Sequence, residues 1–259
     1  MILSIYVNRE LIWEMAVKDL KGTNKGAFLG SAWVLLNPFI QTAAYVIIVS
    51  YVFQSQMPTG NDSRFDYALY VLSGMIPWQI MTYSIMAAPS LVRERIDLVK
   101  QVIYPIETLP LTNLIVGAIG AMVSLAIYML TVVAIGAASW TLVWLPLPFI
   151  ILALFVLGVS WTCMIIGVLV KDLREIVAVV MNLMVFVSPV VASESLVGTE
   201  RWHYIQLNPL SHVVICFRDV FHAEFHQWSW IIFIAISSIT FVLGSLIMLR
   251  TKTLINEYI

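Results

Sequence analysis

The chain has 259 residues, of which 61% are apolar and 11% are charged, and its formal net charge is -1 at pH 7. A soluble domain of this size cannot bury so much apolar surface, so the composition excludes a soluble globular protein and predicts an integral membrane protein. The balanced charge gives no basis for binding nucleic acid. Two cysteines, Cys163 and Cys216, are too few for a disulfide framework or a metal cluster.

The first predicted element is an amphipathic helix at about residues 5–21, with apolar side chains at helical spacing. Its apolar positions are Ile12, Trp13, Ala16, Val17 and Leu20. Because a membrane span follows soon afterwards, we expect an interfacial helix on the cytoplasmic membrane surface; a solvated leader helix is the alternative. The residues expected to meet lipid headgroups are Arg9, Trp13, Lys18 and Lys21. Simple anchoring by positive charge is the other interpretation of these basic residues.

Six membrane spans are predicted from the gaps between charged residues, because a crossing helix needs about 20 mostly apolar residues. The run from Thr108 to Val170 contains no charge and is too long for one crossing, so it must reverse once. The reversal is predicted over residues 137–140 and the prolines Pro146 and Pro148. The predicted spans are about 31–54, 67–89, 108–136, 146–170, 174–192 and 229–249. Eleven of the 14 Lys and Arg residues fall on one side, so we expect that side and both termini to be cytoplasmic.

The connection at residues 91–111 alternates charged with large apolar side chains. A plain loop would be more polar, so we expect a short helix that docks either on the membrane surface or on a soluble partner. A partner is attractive because the chain has no G-x-x-x-x-G-K-[ST] phosphate-binding motif of its own.

The segment at residues 194–227 is neither polar enough for a flexible loop nor apolar enough for a span. Such segments are often re-entrant or lie in the membrane interface. His222, Glu224 and His226 raise the question of a metal, but their order is not the H-E-x-x-H of zinc hydrolases. We therefore interpret them as an interfacial cluster and predict no metal site.

The interiors of the predicted spans lack charged residues, which argues against an ion-coupled pump. They are rich in aromatic residues, and a pathway with aromatic walls and few charges suits stacking on sugar rings better than conduction of ions. The candidate channel aromatics are Trp33, Tyr45, Phe53, Trp78, Tyr83, Trp161 and Phe186. Packing and lipid contact are the alternative functions of these rings.

Four segments carry a family resemblance. They are KDLKGTNKGAFLGSAWVLLNP at 18–38, DLVKQVIYPIETLPL at 97–111, KDLREIVAVVMNLMVFVSPV at 171–190, and LNPL at 207–210 followed by FRD at 217–219. In this order they resemble the permease subunits of ABC-2 type polysaccharide exporters, which move O-antigen, teichoic acid and capsular chains. The similarity covers nearly the whole chain.

The resemblance implies a homodimer of six-helix subunits, each bound to a cytoplasmic ATPase, with a polymer passing along the dimer interface. It implies that residues 91–106 dock on the ATPase and that the first helix flanks the access point of a lipid-linked substrate. The residues assigned to ATPase coupling are Arg93, Arg95, Asp97, Leu98, Tyr104 and Pro105. Residues 194–227 would form re-entrant helices at an outer gate, with Trp202, Asn208 and Arg218 as its candidate residues.

The sequence therefore predicts an all-α integral membrane protein with one ABC-2 type domain over residues 1–259. Its expected function is that of a non-enzymatic permease that exports a polyprenyl-pyrophosphate-linked polysaccharide across the inner membrane. No cofactor is expected in this chain, because ATP and Mg²⁺ would be bound by the partner ATPase. Two alternatives stay open: an exporter of a small hydrophobic compound, and an intramembrane enzyme, which the absence of paired acids or a Ser/His dyad disfavours.

Overall fold

The computed structural model describes residues 7–22, 30–52, 64–96, 105–136, 138–190, 192 and 194–258, and every regular element in these ranges is helical. The α-helices are α1 (Arg9–Gly22), α2 (Trp33–Val52), α3 (Arg64–Ala87), α4 (Leu91–Glu94), α5 (Leu109–Ala134), α6 (Pro146–Leu169), α7 (Leu173–Met184), α8 (Glu194–Val197), α9 (Thr199–Gln206), α10 (Pro209–His222) and α11 (Gln227–Tyr258). The all-helical architecture expected from the sequence is confirmed for this part of the chain.

Three helical stretches within the described ranges are long and apolar enough to cross a membrane: Ile106–Ala134, Trp140–Leu169 and Gln227–Thr251. They correspond to the predicted spans at 108–136, 146–170 and 229–249. The long uncharged run is divided at Gly136, which has a φ of 71°, a value that glycine adopts without strain. Pro146 then begins α6, because proline fits the first helical turn, where its missing N–H is not needed.

The other three predicted spans have helical counterparts of different lengths. Helices α2 and α3 have 20 and 24 residues, and they contain Pro38 and Pro77 respectively. Helix α7 has 12 residues, and at about 1.5 Å per residue it is shorter than the hydrocarbon layer. Turns continue the chain from α7 to Val190. The count of six spans therefore stays a prediction.

Helix α3 lies at the centre of the fold, where it contacts α2, α5, α6, α7 and α10. Every residue from Val71 to Met81 is buried. Helices α6 and α11 pack closely at Gly158 and Gly244, because a Cβ added to either glycine would lie within 2.9 Å of the backbone of the other helix. These contacts give a packed framework on which the less buried α2 and α7 lie.

Helix α1 forms where the amphipathic helix was predicted. The face that it buries, however, differs from the apolar face expected from the sequence. Ile12, Met15 and Ala16 are buried, and the helix packs on α5. These positions form one stripe at i, i+3 and i+4, which places Trp13 outside it. The four residues assigned to lipid headgroups, Arg9, Trp13, Lys18 and Lys21, are all exposed.

Candidate functional site

A cleft of about 840 Å³ lies between α2, α3, α5, α7 and the turn that follows α7. Gly117 and Gly120 of α5 leave room on one wall, and a Cβ added to Gly117 would lie only 3.0 Å from the Tyr83 ring. The aromatic residues that line the cleft are Trp33, Trp78, Tyr83 and Phe186. The amide residues that line it are Asn37, Gln41, Gln79 and Asn182.

A closed ring of hydrogen bonds holds three walls of this cleft together. Gln79 of α3 donates through Nε2 to Thr42 Oγ1 of α2 at 2.8 Å, and its Oε1 accepts from Ser124 Oγ of α5 at 2.8 Å. The hydroxyl oxygens of Thr42 and Ser124 are 2.9 Å apart. Each such bond between membrane helices contributes about 0.6–2 kcal/mol. The ring therefore fixes the relative rotation of α2, α3 and α5.

The structure brings four of the seven candidate channel aromatics together and separates a fifth. Trp33, Trp78, Tyr83 and Phe186 line the cleft. Trp161 is fully buried elsewhere, and its Nε1 donates to the carbonyl oxygen of Glu107 at 3.0 Å. Tyr45 belongs to α2, and Phe53 lies outside the described residues.

The Leu91–Ile96 segment, which includes α4, is bound to three neighbouring elements of the same chain. Arg95 forms an ion pair with Asp19 of α1 and donates through Nη1 to Thr112 Oγ1 of α5 at 3.1 Å. Arg93 donates through Nη2 to the carbonyl oxygen of Lys171 at 3.1 Å. The predicted coupling residues Arg93 and Arg95 therefore hold this segment in place. Pro105 has an extended backbone and directly precedes the short helix Ile106–Thr108. The predicted coupling residues Asp97, Leu98 and Tyr104 lie outside the described residues.

A fourth contact of this segment reaches α7 itself. Glu94 Oε1 accepts from Arg174 Nη1 at 2.9 Å, and Arg174 also lines the cleft. Both side chains are about half exposed, so this ion pair is worth at most about 1 kcal/mol. Its importance is geometric, since it joins the Leu91–Ile96 segment to a wall of the cleft.

Burial is the main influence on the pKa of the Asp19 carboxyl group. Removal of this group from water raises its pKa above the ordinary value, and the attraction of Arg95 offsets the rise only in part. The pair therefore costs desolvation energy, and its role is to fix α1 against the Leu91–Ile96 segment.

The predicted outer segment closes on the helix bundle through Arg218 of α10. Its guanidinium carbon lies 3.5 Å from the centroid of the Tyr70 ring, and Nη2 donates to the carbonyl oxygens of Val190 at 2.9 Å and Tyr70 at 3.3 Å. This candidate gate residue is buried and ties α10 to α3 and to the turn after α7.

Asn208 and Trp202, the other candidate gate residues, differ in their surroundings. Asn208 caps α10 by accepting from the Leu210 N–H at 3.0 Å, and its Nδ2 donates to the carbonyl oxygen of Val187 at 3.3 Å. It therefore connects the start of α10 to the end of the α7 region. Trp202 is half-buried on α9.

Sequence reasoning missed Asp219, the last residue of the FRD motif. Its carboxylate is buried, and Oδ2 accepts from the His226 backbone N–H and from Trp230 Nε1, both at 2.8 Å. Ligand atoms of Asp219, Glu224 and His226 lie within 4.8 Å of one another, and His226 Nδ1 is 2.6 Å from Asp219 Oδ1. Both Asp219 oxygens are thus occupied by contacts within the chain, which close α10 onto α11. The motif itself, an acid next to an arginine in an apolar helix, was the available signal.

Comparison with known proteins identifies the family. The family model described as ABC-2 type transporter matches residues 12–222, which is most of the chain. The chain belongs to the ABC-2 type transporter family. The resemblance inferred from the four sequence segments is therefore confirmed.

Relatives within the ABC-2 family share most of the chain at low identity. An O-antigen export system permease protein RfbA of Myxococcus xanthus is 25% identical over 221 residues, covering 84% of this chain and 82% of that protein. A protein of the same name from Klebsiella pneumoniae is 24% identical over 216 residues, covering 82% of this chain and 80% of the relative. This family membership and the three long apolar helices identify a membrane permease of the ABC-2 class.

Proposed function

We propose that this chain is the transmembrane subunit of an ATP-driven exporter that moves a lipid-linked polysaccharide from the cytoplasm to the outer side of the cytoplasmic membrane. The observation that carries the proposal is the set of exposed amides in the cleft. Asn37, Gln41 and Asn182 are exposed, and Gln41 Nε2 donates to Asn37 Oδ1 at 3.2 Å. Lipid offers no hydrogen-bond partner to the remaining donors and acceptors of these amides, so we expect them to meet water, substrate or another protein surface.

The lining of the cleft suits a sugar. Amide groups donate to and accept from hydroxyl groups, and the faces of Trp33 and Phe186 offer apolar contact to the C–H face of a pyranose ring. The relatives named as O-antigen export permeases support the same class of substrate.

The wider assembly is part of the proposal. Two copies would face each other across the cleft, and each would bind a cytoplasmic ATPase through residues 91–106, because the sequence has no phosphate-binding loop. The proposed chain has six spans, as the uncharged apolar runs suggest, and both termini in the cytoplasm, as the distribution of Lys and Arg suggests. Its proposed location is the inner membrane. Helices α8, α9 and α10 would form the re-entrant outer gate.

The first test is removal of the chain from its cell. We expect the surface polysaccharide to disappear and lipid-linked polymer to accumulate inside, and an ATPase to co-purify with the intact chain. Unchanged surface polysaccharide would overturn the proposal and favour the export of a small hydrophobic compound.

A matched pair of substitutions tests the cleft. Phe186 and Leu130 are 74% and 72% exposed, and only Phe186 lines the cleft. Because neither side chain is a core residue, we expect Phe186→Ala to reduce polymer export several-fold at equal protein level and Leu130→Ala to leave it unchanged. Equal effects of the two substitutions would contradict the assignment of the cleft to the substrate.

A further inference from the structure

The turn between α10 and α11 gathers three side chains that can bind a metal ion. Helix α10 ends at His222, and Ala223 follows in the left-handed conformation with a φ of 59°. No other non-glycine residue of the described ranges has a positive φ, a conformation that costs an L residue about 1–2 kcal/mol. The backbone N–H groups of Ala223 and Glu224 both donate to the carbonyl oxygen of Asp219. This tight reversal brings Glu224 and His226 back to the last turn of α10, next to Asp219.

Asp219 is the fixed member of this group. Its side chain is 2% exposed, and Oδ2 accepts from the His226 backbone N–H and from Trp230 Nε1, both at 2.8 Å. Two donors on one oxygen hold the carboxylate in place, and carboxylates that bind metal ions are oriented by outer hydrogen bonds in the same way. The other oxygen, Oδ1, lies 2.6 Å from His226 Nδ1. Asp219 is therefore oriented with one oxygen beside a second metal-binding atom.

Glu224 and His226 complete the group and are open to water. One ligand atom from each of Asp219, Glu224 and His226 lies within 4.8 Å of the other two. Glu224 is exposed and the His226 side chain is 52% exposed, so both can adjust and an ion can enter from solvent. Zinc binds nitrogen and oxygen at about 2.0–2.1 Å, which separates tetrahedral ligand atoms by about 3.3 Å. The His226 ring therefore has to retreat by only about 0.7 Å, and the ion takes the place of the proton between Nδ1 and Oδ1.

The charges around the group favour a cation. Two carboxylates lie at the C-terminal end of α10, and the carbonyl end of a helix carries partial negative charge. Arg218, the neighbouring cation on α10, has its guanidinium over the Tyr70 ring and donates to the carbonyl oxygens of Tyr70 and Val190. The group therefore combines three donor atoms with a negative local charge.

The ligands differ from the histidine pattern that the sequence shows. His222 and His226 are four residues apart and would share one face of a continuous helix. Helix α10 ends between them, and the His222 ring centroid lies 6.3 Å from that of Tyr70. Asp219, three residues before His222, takes its place in the group. The expectation of no metal site rested on the order of residues along a helix, which this turn interrupts.

We propose that Asp219, Glu224 and His226 bind one Zn²⁺ ion at the predicted outer end of α11, with water in the fourth position. One imidazole nitrogen and two carboxylate oxygens suit zinc, whereas Ca²⁺ and Mg²⁺ prefer oxygen ligands alone. The ion joins the end of α10 to the start of α11. None of the three ligands lines the cleft, so the zinc site is separate from the proposed path of the polymer.

The test is a zinc titration of the full chain in lipid nanodiscs. The protein is purified through a tag without histidine, stripped with a chelator and titrated with Zn²⁺ against a fluorescent zinc indicator. We expect one saturable site per chain. Hydrogen exchange at residues 222–228 should also slow when Zn²⁺ is added, because the ion joins the two helices across this turn.

Three variants alter the site and leave the buried Asp219 in place. Glu224→Gln and His226→Gln each remove one proposed ligand, and each should weaken Zn²⁺ binding by more than about tenfold. Trp230→Phe removes an outer hydrogen bond to Asp219 Oδ2 and should weaken binding by about tenfold. Thermal unfolding without metal checks that each variant folds.

Matched controls make the same changes on α9. Glu200 and His203 are exposed and lie outside the group of three ligands. Glu200→Gln and His203→Gln should therefore bind Zn²⁺ as tightly as the parent chain. They separate the proposed site from a general effect of acidic or histidine side chains on this segment.

Three results would contradict the zinc site. The first is a parent chain without a saturable site. The second is unchanged affinity in Glu224→Gln and His226→Gln, which would show that zinc binds elsewhere on the surface. The third is displacement of Zn²⁺ by Ca²⁺ or Mg²⁺ at similar concentrations, which would overturn the assignment to zinc. None of these measurements uses the polymer or the ATPase, so the zinc site and the proposed function stand or fall separately.

Discussion

Arg95 is the residue at which α1, α5 and the Leu91–Ile96 segment meet. It contacts Asp19 and Thr112, and only 15% of its side chain is exposed. Burial raises the pKa of Asp19 despite this neighbour, so the carboxylate is kept charged at a cost. Removal of the cation and removal of the anion should therefore have unequal effects on stability.

We expect Arg95→Met to destabilise the protein at pH 7.5 by about 1–3 kcal/mol, because it leaves a half-buried carboxylate without its cation. The pKa of Asp19 then rises further, so the folded state binds the proton more tightly than the unfolded state. Stability therefore falls as the pH rises through this pKa and is regained as the pH is lowered below it. Thermal unfolding of the purified protein over a series of pH values measures the difference.

Asp19→Asn is the control for this prediction. It removes the charge that has to be desolvated, so its cost should stay below about 1 kcal/mol and should not depend on pH. In the double variant the pH dependence caused by Arg95→Met should vanish. A pH-independent loss in Arg95→Met would show that the side chain acts by packing alone.

The close packing of α6 against α11 depends on two glycines. A Cβ on Gly158 would lie 2.3 Å from the backbone of Thr240 in the opposite helix. We expect Gly158→Ala to push the helices apart and to cost about 1–3 kcal/mol or more, measured by thermal unfolding. Gly117→Ala meets the Tyr83 side chain, which can move, so its loss should be smaller. Equal losses would contradict the close backbone approach.

Asn208 couples two elements through two separable functions. Asn208→Ala should weaken the cap of α10 by about 1 kcal/mol and release its tie to Val187. Asn208→Asp keeps an oxygen to cap Leu210 but loses the N–H donor. Hydrogen exchange should therefore increase at residues 185–190 in both variants, and at the start of α10 only in Asn208→Ala. An increase confined to α10 would show that the tie to Val187 has no structural role.

The bounds of α5 and α6 were predictable because their signals are local, whereas α11 continues to Tyr258, beyond the predicted span at 229–249. The predicted spans at 108–136 and 146–170 lie within two residues of α5 and α6 at each end, since an uncharged run and prolines determine both. Helix α7 was predicted as part of a span at 174–192, yet it ends at Met184. Ser188 and Pro189 follow in turns, and the contacts of Asn208 and Arg218 hold these turns in place.

The sequence predicted which kinds of residue line the cleft, but not which individual residues do so. Aromatic side chains in the spans were identified from composition, but their direction depends on how each helix is rotated. That rotation is set by contacts such as the Gln79 ring with Thr42 and Ser124, whose partners are far apart in sequence. The buried role of Trp161 has the same origin. Spacing along one helix carries no information on these pairings.

One face of the described chain combines exposed amides with exposed apolar surface. The amides are Asn37, Gln41 and Asn182 of the cleft, and Phe186, in the turn that follows α7, is 74% exposed beside them. Amides that face lipid lack hydrogen-bond partners, whereas a second copy would enclose them in a shared polar path. In an isologous dimer, residues close to the twofold axis meet their own copies.

We therefore expect Phe186→Cys, in a chain with Cys163→Ala and Cys216→Ala, to form a disulfide-linked dimer on mild oxidation in membranes. Such a bond requires the two Cα atoms to approach within about 7 Å, which only residues near the axis achieve. Leu130→Cys on α5 is the control, because its position is equally exposed at 72% but lies away from the cleft. Non-reducing gel electrophoresis reads out both variants. If Leu130→Cys cross-links efficiently and Phe186→Cys stays monomeric, the contact between copies lies on α5. The amides of the cleft would then face something other than a second copy.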